Sequence, residues 1–339
     1  MTRGYPTLEA QAQEIADDWC RLLDASGRPY PFLHPAWHTV WSQIFPAPTG
    51  DDRFLLTVRD GSRLLLVAPL ERRGTRLTLA GDHEICDYMD IVAAPDADAA
   101  AWHRLLDALA AIPWQELVLW GLPEDSLTRQ ILPRLAAARG WSVEDALEAV
   151  CPRVALPASW EEYLASLSKK DRHELRRKLR RFQAAGATLR VETLTQPDAV
   201  RAGLDDFIRL HTASRQDKRE FMTPQMETFF RAMAVALAGY GLVRLAFVEL
   251  DGVRVAGLLA FDAGEELLLY NSGYDPALAH ASVGIVSKAL LLREAIAEGR
   301  RWFDFLRGAE PYKYDLGGRD YEVHTLTVRR ATADGEPVE

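Results

Sequence analysis

Residues 266–321 read ELLLYNSGYDP, then ALAHASVGIVSKALLLREAIAEG, then RRWFDFLRGAEPYKYDLGGRDY. The first segment is an apolar run that ends at turn-forming residues, which predicts a buried strand. Apolar residues at helical spacing follow and stop at Gly299, where a helix C-terminus is expected. The next apolar run, around Phe303, predicts a second strand. The stretch therefore predicts strand, turn, helix and strand, with a tyrosine-rich loop at the exit.

The turn before this helix carries the chemistry. Ser282 and Gly284 lie where the N–H groups of a first helical turn have no acceptor within the helix. Such donors and the helix dipole attract phosphate, and a glycine lets a ligand approach the backbone closely. The alternative is that Gly284 serves packing or the turn alone, which is the commoner role of a glycine near a helix start.

The composition indicates a soluble intracellular protein. The chain has 339 residues and a net charge of -9, which argues against a general nucleic-acid coat or an anionic membrane surface as the main partner. Its three cysteines, Cys20, Cys86 and Cys151, are far apart and suit a reducing compartment. No apolar stretch approaches the ~20 residues of a membrane span. We therefore expect a cytoplasmic protein without membrane insertion.

Two weak metal patterns occur in the first half. His34 and His38 are four residues apart, but Pro35 lies between them and no acidic residue completes a recognisable site. The acidic residues of segment 82–90 have mixed spacing, which is more typical of a solvated loop. We expect no metal.

Two kinds of segment recur along the chain. FLLTVRDGSRLLLVAPL at 54–70 resembles RLAFVELDGVRVAGLLAF at 244–261, and both predict a hairpin with an Asp-Gly turn. LLDALAAIPWQELVLWGLPE at 105–124 resembles LLREAIAEGRRWFDFLRGAE at 291–310, and both predict a helix followed by a strand. The recurrence predicts an α+β protein of tandem duplicated domains, each a mixed twisted sheet flanked by helices.

The two predicted copies are unequal. Only the second contains the Gly284 turn and the PYKY loop. We therefore expect a degenerate N-terminal domain over residues 1–150 and the active domain over residues 151–339.

A basic segment opens the second half. Residues 168–185 read SKKDRHELRRKLRRFQAA and contain eight Lys or Arg. Leu175, Leu179 and Phe182 share one face of the predicted helix, so the basic residues occupy the other faces. One interpretation is a solvated surface helix paired with carboxylates. The other is a contact with a phosphate-bearing ligand such as coenzyme A, a nucleotide-linked sugar or tRNA.

Several linked motifs carry a family resemblance over nearly the whole chain. LSKKDRHELRRKLRRFQAAG, FIRLHTASRQ, LDGVRVAGLLAF, LYNSGYDP, HASVGIVSKALLLREAIAEG and FDFLRGAEPYK follow in order, preceded by PFLHPAW and CDYMD. This set resembles the cellulose-biosynthesis-type acetyltransferases of the GNAT superfamily. That family is similar to the Fem-type peptidoglycan aminoacyltransferases, which also pair two GNAT-like domains.

The resemblance implies an acyl donor, acetyl-CoA or another acyl-CoA, bound where two strands splay apart. Its pyrophosphate would lie at the helix that begins near Ser282. The ordinary GNAT pattern has Gln or Arg, two residues, Gly, one residue, and Gly or Ala; here Ala281 and Val286 occupy the flanking positions. Aminoacyl-tRNA stays open as the alternative donor. The implied cofactor contacts are Ser282, Val283, Gly284, Ile285 and Val286, with Ser287 and Lys288 adding side-chain contacts.

The catalytic candidates follow from amine attack on a thioester or ester, which needs a base, charge stabilisation and a proton donor. Asp304 and Glu310 are candidate bases. Lys313 matches a lysine of the Fem-type relatives and is the candidate for charge stabilisation, with Arg307 as the alternative. Proton donation to the leaving group is assigned to Tyr270 and Tyr312.

Further candidates concern the acceptor. His211 either caps helix carbonyls or acts as a base at an acceptor site. Arg215 and Arg307 are candidate substrate contacts, and the CDYMD segment adds Asp87 and Tyr88. The acceptor is expected to be a small-molecule amine, an amino sugar or an amino acid.

Three functions are consistent with the sequence. The first is an N-acyltransferase that uses an acyl-CoA. The second is an aminoacyl-tRNA-dependent transferase, favoured by the basic helix and Lys313, with tRNA as a partner. The third is a binding protein that kept the duplicated fold without turnover.

Overall fold

The computed structural model describes residues 7–186 and 188–330. The chain divides into two compact units. Within the described ranges, the first unit contains residues 7–149 and 321–330. The second unit runs from Val150 to Asp320.

The first unit is a sheet flanked by helices. Its helices are α1 (Leu8–Glu14), α2 (Ala16–Ala25), α3 (Pro35–Ile44), α4 (Ala99–Ala110) and α5 (Leu127–Ala137). Its strands up to residue 150 are β1 (Asp52–Asp60), β2 (Arg63–Arg73), β3 (Arg76–Leu79), β4 (Val92–Ala93), β5 (Glu116–Pro123) and β6 (Ser142–Val150). A 3₁₀ helix spans Pro31–Leu33.

The second unit has the same kind of architecture. Its helices are α6 (Trp160–Ser166), α7 (Lys169–Gln183), α8 (Pro197–Ser214), α9 (Gln216–Phe221), α10 (Pro224–Ala238), α11 (Val283–Ala297) and α12 (Pro311–Asp315). Its strands are β7 (Arg153–Ala155), β8 (Leu189–Leu194), β9 (Val243–Leu250), β10 (Val253–Ala263), β11 (Glu266–Tyr274) and β12 (Trp302–Asp304), in the sheet order β7-β12-β11-β10-β9-β8. A 3₁₀ helix spans Pro276–Ala281.

The last strand, β13 (Glu322–Arg329), corrects the expected second domain. The sequence interpretation ended that domain at residue 339, but β13 pairs antiparallel with β5, from Val323 opposite Pro123 to Arg329 opposite Glu116. The sheet of the first unit therefore has the order β1-β2-β3-β5-β13-β6, with β4 on β2. Residues 331–339 lie outside the described ranges.

The two sheets repeat one topology. β1, β2 and β3 are successive antiparallel neighbours, and β3 then pairs parallel with β5. β9, β10 and β11 are likewise antiparallel neighbours, and β11 pairs parallel with β12. The crossovers contain α4 and α11 respectively. The expected α+β class and tandem duplication are confirmed.

The Asp-Gly turns explain why both hairpins close where the sequence predicts. Gly61 adopts a φ of 56° and Gly252 a φ of 80°. Such left-handed conformations suit glycine because it has no Cβ. The shared local chemistry therefore sets the same hairpin in both units.

β11 and β12 part soon after they pair. Their register covers only Glu266 to Leu268 opposite Trp302 to Asp304, while β11 continues to Tyr274. After Asp304 the chain turns away, with φ values of 57° at Leu306 and 111° at Gly308. A wedge is left beside the second half of β11, and the start of α11 faces it.

Two features are absent from the described residues. No helix within them combines the length and the apolar character that crossing a bilayer requires. The same residues contain no group of three or more His, Cys, Asp or Glu placed to hold a metal ion.

Candidate active site

A cavity of about 360 Å³ occupies the wedge beside β11. Strand β11, the following 3₁₀ helix, the first turns of α11, the α8–α9 junction and the segment after β12 all contribute to its wall. The lining residues are Arg215, Lys218, Ser272, Tyr274, Ala279, Ser282, Gly284, Ile285, Lys288, Glu310 and Tyr312. The structure thus brings seven of the predicted site residues together.

The start of α11 presents fewer backbone donors than the sequence predicts. Ser282 adopts a left-handed φ of 62°, and its carbonyl accepts the N–H groups of Ile285 and Val286, both at 3.0 Å. Those two N–H groups are therefore occupied inside the helix. Val283 and Gly284 remain at the open end of the helix. The expectation of four donors is corrected to these two.

Gly284 lies against an aromatic wall. A Cβ built at this position would be 2.8 Å from Cε1 of Tyr274, closer than carbon atoms pack. The glycine therefore lets β11 and α11 approach each other at the cavity. A larger side chain here would enter the cavity or displace Tyr274.

Lys288 folds back towards the start of its own helix. Its Nζ donates to the carbonyl of Gly284 at 2.8 Å and lies 5.0 Å from the centre of the Tyr312 ring. Burial, together with the positive charge of Lys218, lowers the pKa of Lys288 to about 7. The side chain of Ser287 is also buried and donates to the Gly284 carbonyl at 3.3 Å.

Lys218 is a cavity residue that the sequence analysis did not single out. Its amine donates to the carbonyl of Ser272 on β11. Burial lowers its pKa to about 8, with Arg215 acting in the same direction. The only sequence signal was its place in a basic polar loop, HTASRQDKRE, next to the chosen Arg215.

The rim of the cavity is exposed and mixed in charge. Arg215 contacts the carboxylate of Asp217 at 2.9 Å. Glu310 has a half-exposed side chain and accepts from Lys313 at 2.9 Å. Burial raises the pKa of the Tyr312 hydroxyl, with the charge of Glu310 adding to the shift. Tyr312 therefore stays protonated at neutral pH.

Lys313 has a different environment from the one expected. It is 2% exposed, and its Nζ donates to the carbonyls of Leu306 and Arg307 at 2.8 Å and of Gly308 at 2.9 Å. It is not among the residues that line the cavity. The amine holds the turn after β12 together, because it satisfies carbonyls that this turn leaves without strand partners. The Lys313 amine therefore faces these backbone carbonyls and not the cavity, where a reacting carbonyl would lie.

Asp304 and Arg307 also lie off the cavity wall. Asp304 is fully buried, and its Oδ1 accepts the N–H of Leu306 at 2.6 Å. The carbonyl of Arg307 accepts a hydrogen bond from Nζ of Lys313. Both residues belong to the same turn and neither lines the cavity, so their roles as base and charge stabiliser stay predictions.

Tyr270 and His211 lie deeper in the second unit. The Tyr270 ring stacks on Phe230 at 5.5 Å and approaches Phe261 at 4.7 Å. His211 is 1% exposed, and its Nε2 contacts Oδ1 of Asn271 at 3.0 Å. Burial lowers its pKa to about 4. Neither residue lines the cavity. Tyr270 therefore has no contact there through which to donate a proton, and His211 has none through which to act as a base.

The predicted contacts in the first unit have separate surroundings. The ring of Tyr88 is fully buried, with its centre 4.7 Å from that of Tyr30 and 6.0 Å from that of Tyr321. Asp87 is half-buried. The structure assigns Tyr88 to the core of the first unit, and a substrate contact of Asp87 stays a prediction.

The basic segment forms α7, as predicted. Three of its cations pair with carboxylates: Arg176 with Glu161 at 3.2 Å, Arg177 with Glu174 at 2.6 Å and Lys178 with Glu174 at 3.7 Å. At the far end of the helix, Nη1 of Arg181 donates to the carbonyl of His280 at 3.3 Å. The helix therefore touches the 3₁₀ helix that borders the cavity.

Comparison with known families gives one match. The family described as "Acetyltransferase (GNAT) domain" matches residues 169–314. The match contains every residue that lines the cavity. The finer resemblance to cellulose-biosynthesis-type acetyltransferases is not confirmed and stays a prediction. Comparison with curated proteins found no match.

Solved structures with a similar fold cover nearly the whole chain. FemX has a TM-score of 0.62 and 14% identity, with 93% of this chain and 95% of that chain covered. L-PGS from Bacillus licheniformis has a TM-score of 0.60 and 12% identity, with coverages of 93% and 91%. A conserved protein of unknown function from Bacteroides thetaiotaomicron has a TM-score of 0.57 and 11% identity, with coverages of 97% and 100%. At these identities the similarity establishes the fold alone.

Proposed function

We propose that this protein is an N-acyltransferase that moves an acyl group from an acyl-CoA to the amine of a small molecule, an amino sugar or an amino acid. The cavity in the wedge between β11 and β12 carries this proposal. It combines an open helix start with three basic side chains, Arg215, Lys218 and Lys288. In a protein with a net charge of -9, three cationic side chains at one cavity favour an anionic ligand there.

The residues around the cavity fit a phosphate-bearing donor. The side chains of Ala281 and Val286, which depart from the ordinary GNAT pattern, are buried in the core cluster and do not line the cavity. The departure therefore leaves the space for a ligand intact. The N–H groups at the open end of α11 and the amine of Lys288 are suited to phosphate oxygens.

The chemistry requires direct attack. The acceptor nitrogen bonds to the donor carbonyl carbon, the carbon–sulfur bond breaks, the nitrogen loses a proton to a base, and the thiolate gains one. We assign the base to Glu310 and the proton donor to Tyr312, because both line the cavity and Tyr312 stays protonated. In this proposal Lys313 acts by holding the turn that presents them.

The test is release of free coenzyme A when the protein is mixed with acetyl-CoA or longer acyl-CoAs and a panel of amines. Tyr312→Phe should lower kcat by roughly 100- to 10,000-fold with a small change in KM for the donor. Arg293→Met, an exposed substitution on α11, is the control. Absence of release with every acyl-CoA and amine would refute the proposal.

A second candidate is transfer from aminoacyl-tRNA. The exposed cations of α7, in contact with the 3₁₀ helix at the cavity, favour it, and FemX has a similar fold. Thermal stabilisation separates the possibilities, because a ligand stabilises the protein that it binds. Stabilisation by charged tRNA and not by acetyl-CoA would favour this candidate. No stabilisation by either donor would favour a binding protein without turnover.

A further inference from the structure

A second cavity lies entirely within the first unit. It has a volume of about 260 Å³ and is bounded by the end of α2, the 3₁₀ helix at Leu33, the segment around β4 and the start of α5. It shares no lining residue with the cavity at α11. Its volume is just below the roughly 300 Å³ at which ligand pockets begin, so the cavity suits a small molecule.

Asp90, the last residue of the CDYMD segment, lines this cavity with a buried carboxylate. The residue is 7% exposed, and its Oδ1 accepts the N–H of Ile91 at 2.8 Å. Among the described residues the carboxylate has no ion pair. Burial raises its pKa, and the hydroxyls of Thr128 and Ser126 and the charge of Arg28 act against that rise. A buried carboxylate without a cationic partner is costly, so a cation in the cavity would stabilise it.

The guanidinium of Arg28 does not supply that cation. Its Nη2 lies 2.8 Å from Oδ1 of Asp125 and donates to the Asp125 carbonyl at 2.5 Å. The Asp125 side chain is 57% exposed, so this pair lies where the cavity meets solvent, while Asp90 lies at its floor. Arg28 and Asp125 neutralise each other. The cavity therefore keeps the single negative charge of Asp90.

The floor of the cavity also has unused hydrogen-bonding capacity. Thr128, on the first turn of α5, is fully buried beside the Asp90 carboxylate. Its Oγ1 forms no hydrogen bond of normal length and angle with any described residue. An ammonium group has three N–H donors, enough for the carboxylate and for this oxygen.

The rest of the lining selects among cations. Leu33, Val92 and Leu127 contribute apolar side chains, which suit a hydrocarbon body. A calcium or magnesium ion takes about six or more oxygen ligands, and the described residues contain no group of acidic, His or Cys side chains placed to hold a metal. Quaternary ammonium ions are typically bound by aromatic rings, and no described residue that lines this cavity is aromatic.

We propose that this cavity is a binding site for a small primary amine in its ammonium form, with Asp90 as the counter-ion. The hydrocarbon part of the amine packs against Leu33, Val92 and Leu127. This site is independent of the proposed acyl transfer, because it uses no residue of the cavity at α11. It gives a ligand to the unit in which the sequence predicts no active chemistry.

The experiment is a ligand-observed NMR titration of the full chain with isoamylamine at pH 7. This amine is protonated there, because an alkylamine such as the lysine side chain has a pKa of about 10.4. Isoamyl alcohol has the same hydrocarbon body and no charge, and tetramethylammonium has the charge and no N–H group. We expect each of these two probes to bind roughly 10- to 100-fold more weakly than the amine, because each lacks the charged hydrogen bond to Asp90.

Three variants locate the site. Asp90→Asn keeps the shape of the side chain and removes its charge, so it should lower the affinity for isoamylamine by roughly 10- to 100-fold and leave that for the alcohol unchanged. Asp125→Asn, at the exposed mouth, leaves the charge of Arg28 unmatched and should lower the amine affinity by less than about fivefold. Asp24→Asn, an exposed change on α2, is the control and should match the parent. Circular dichroism checks folding, and if Asp90→Asn does not fold, the ranking of the three probes on the parent decides.

The outcomes separate this site from the cavity at α11. An amine bound only at α11, as an acyl acceptor, would have the same affinity in the parent and in Asp90→Asn, and that result would overturn the proposal. Equal binding of the amine and the alcohol, or no binding of the amine at millimolar concentration, would also overturn it. Tetramethylammonium binding as tightly as isoamylamine would contradict a primary amine as the ligand. Loss of amine binding in Asp90→Asn with acyl transfer retained would support the site and show that it is separate from the acceptor site.

Discussion

The same wedge is open in one unit and filled in the other. In the second unit the parallel strands pair over three positions and then part around a cavity. In the first unit β3 and β5 also pair over three positions. There the following segment turns back, and Met89 donates its N–H to the Gly121 carbonyl at 2.8 Å. The duplicated fold thus supplies two wedges, and the loop sequence decides which one keeps a cavity.

The filling of the first wedge is tight. A Cβ on Gly81 would lie 3.2 Å from both Met89 and Trp120, and one on Gly121 would lie 3.0 Å from the Met89 nitrogen. Met89 is completely buried. In the second unit the glycine at the wedge, Gly284, instead borders open space and Tyr274. Glycine permits close packing in both copies, and in the second copy it also borders the cavity.

Closing the open wedge should have the largest effect. In Gly284→Leu the new side chain would meet the Tyr274 ring, which is 2.8 Å from the position of its Cβ, and would extend into the cavity. We expect the affinity for coenzyme A to fall by more than about 100-fold, since a steric block removes several phosphate contacts of about 1.5–3 kcal/mol each. Calorimetric titration measures this loss.

The control is Ala297→Leu, which adds similar bulk at an exposed position of the same helix. It should bind as the parent does. Circular dichroism should show both variants folded. Unchanged coenzyme A affinity in Gly284→Leu would mean that the donor binds elsewhere.

Opening the filled wedge should affect stability and not binding. Met89→Ala removes a fully buried side chain and should lower the free energy of unfolding by about 3 kcal/mol, because it leaves a cavity. Urea denaturation measures the change. Coenzyme A binding should be unaltered. A gain of a second coenzyme A site would show that the Met89 segment blocks a binding site. An unchanged free energy of unfolding would contradict the tight packing of Met89.

The duplicated fold was predictable because its signals are local. Asp-Gly turns and apolar runs of strand length recur in both halves, and they set the hairpins directly. Ser282, Gly284 and Lys288 were also identified, because a helix start can be recognised from nearby residues. Strand β13 was assigned to the wrong unit because its pairing with β5 joins residues about 200 positions apart.

The side-chain environments were harder to predict. Lys218 reaches the cavity because α8 packs very closely on β11, where a Cβ on Gly273 would lie 2.2 Å from the His211 backbone. Lys313 turns inward because the backbone after β12 takes left-handed φ values at Leu306 and Gly308. No spacing rule encodes either arrangement. Residue type alone therefore placed Lys313 at the site and missed Lys218.

Loss of the Lys313 amine should lower the free energy of unfolding by less than Met89→Ala does. Lys313→Met leaves the carbonyls of Leu306, Arg307 and Gly308 without their donor. The free energy of unfolding should fall by about 2 kcal/mol. Transfer per folded molecule should remain within about tenfold of the parent, as expected for a residue that acts by positioning. An unchanged stability with transfer abolished would restore Lys313 to a catalytic role.

The basic helix should give the smallest effect on the acyl-CoA reaction. Lys169, Lys170 and Arg180 are exposed, and charges at such positions are screened within about 10 Å at 0.1 M salt. Replacing all three with alanine should change the coenzyme A affinity by less than about twofold at that ionic strength.

The salt dependence of binding decides what α7 contributes. Each lost phosphate contact would reduce the slope of log affinity against log salt by roughly 0.7 to 0.9. A steep slope for an aminoacylated RNA hairpin that the triple variant flattens would make α7 part of the donor site, and an equal slope in both proteins would make it a solvated surface.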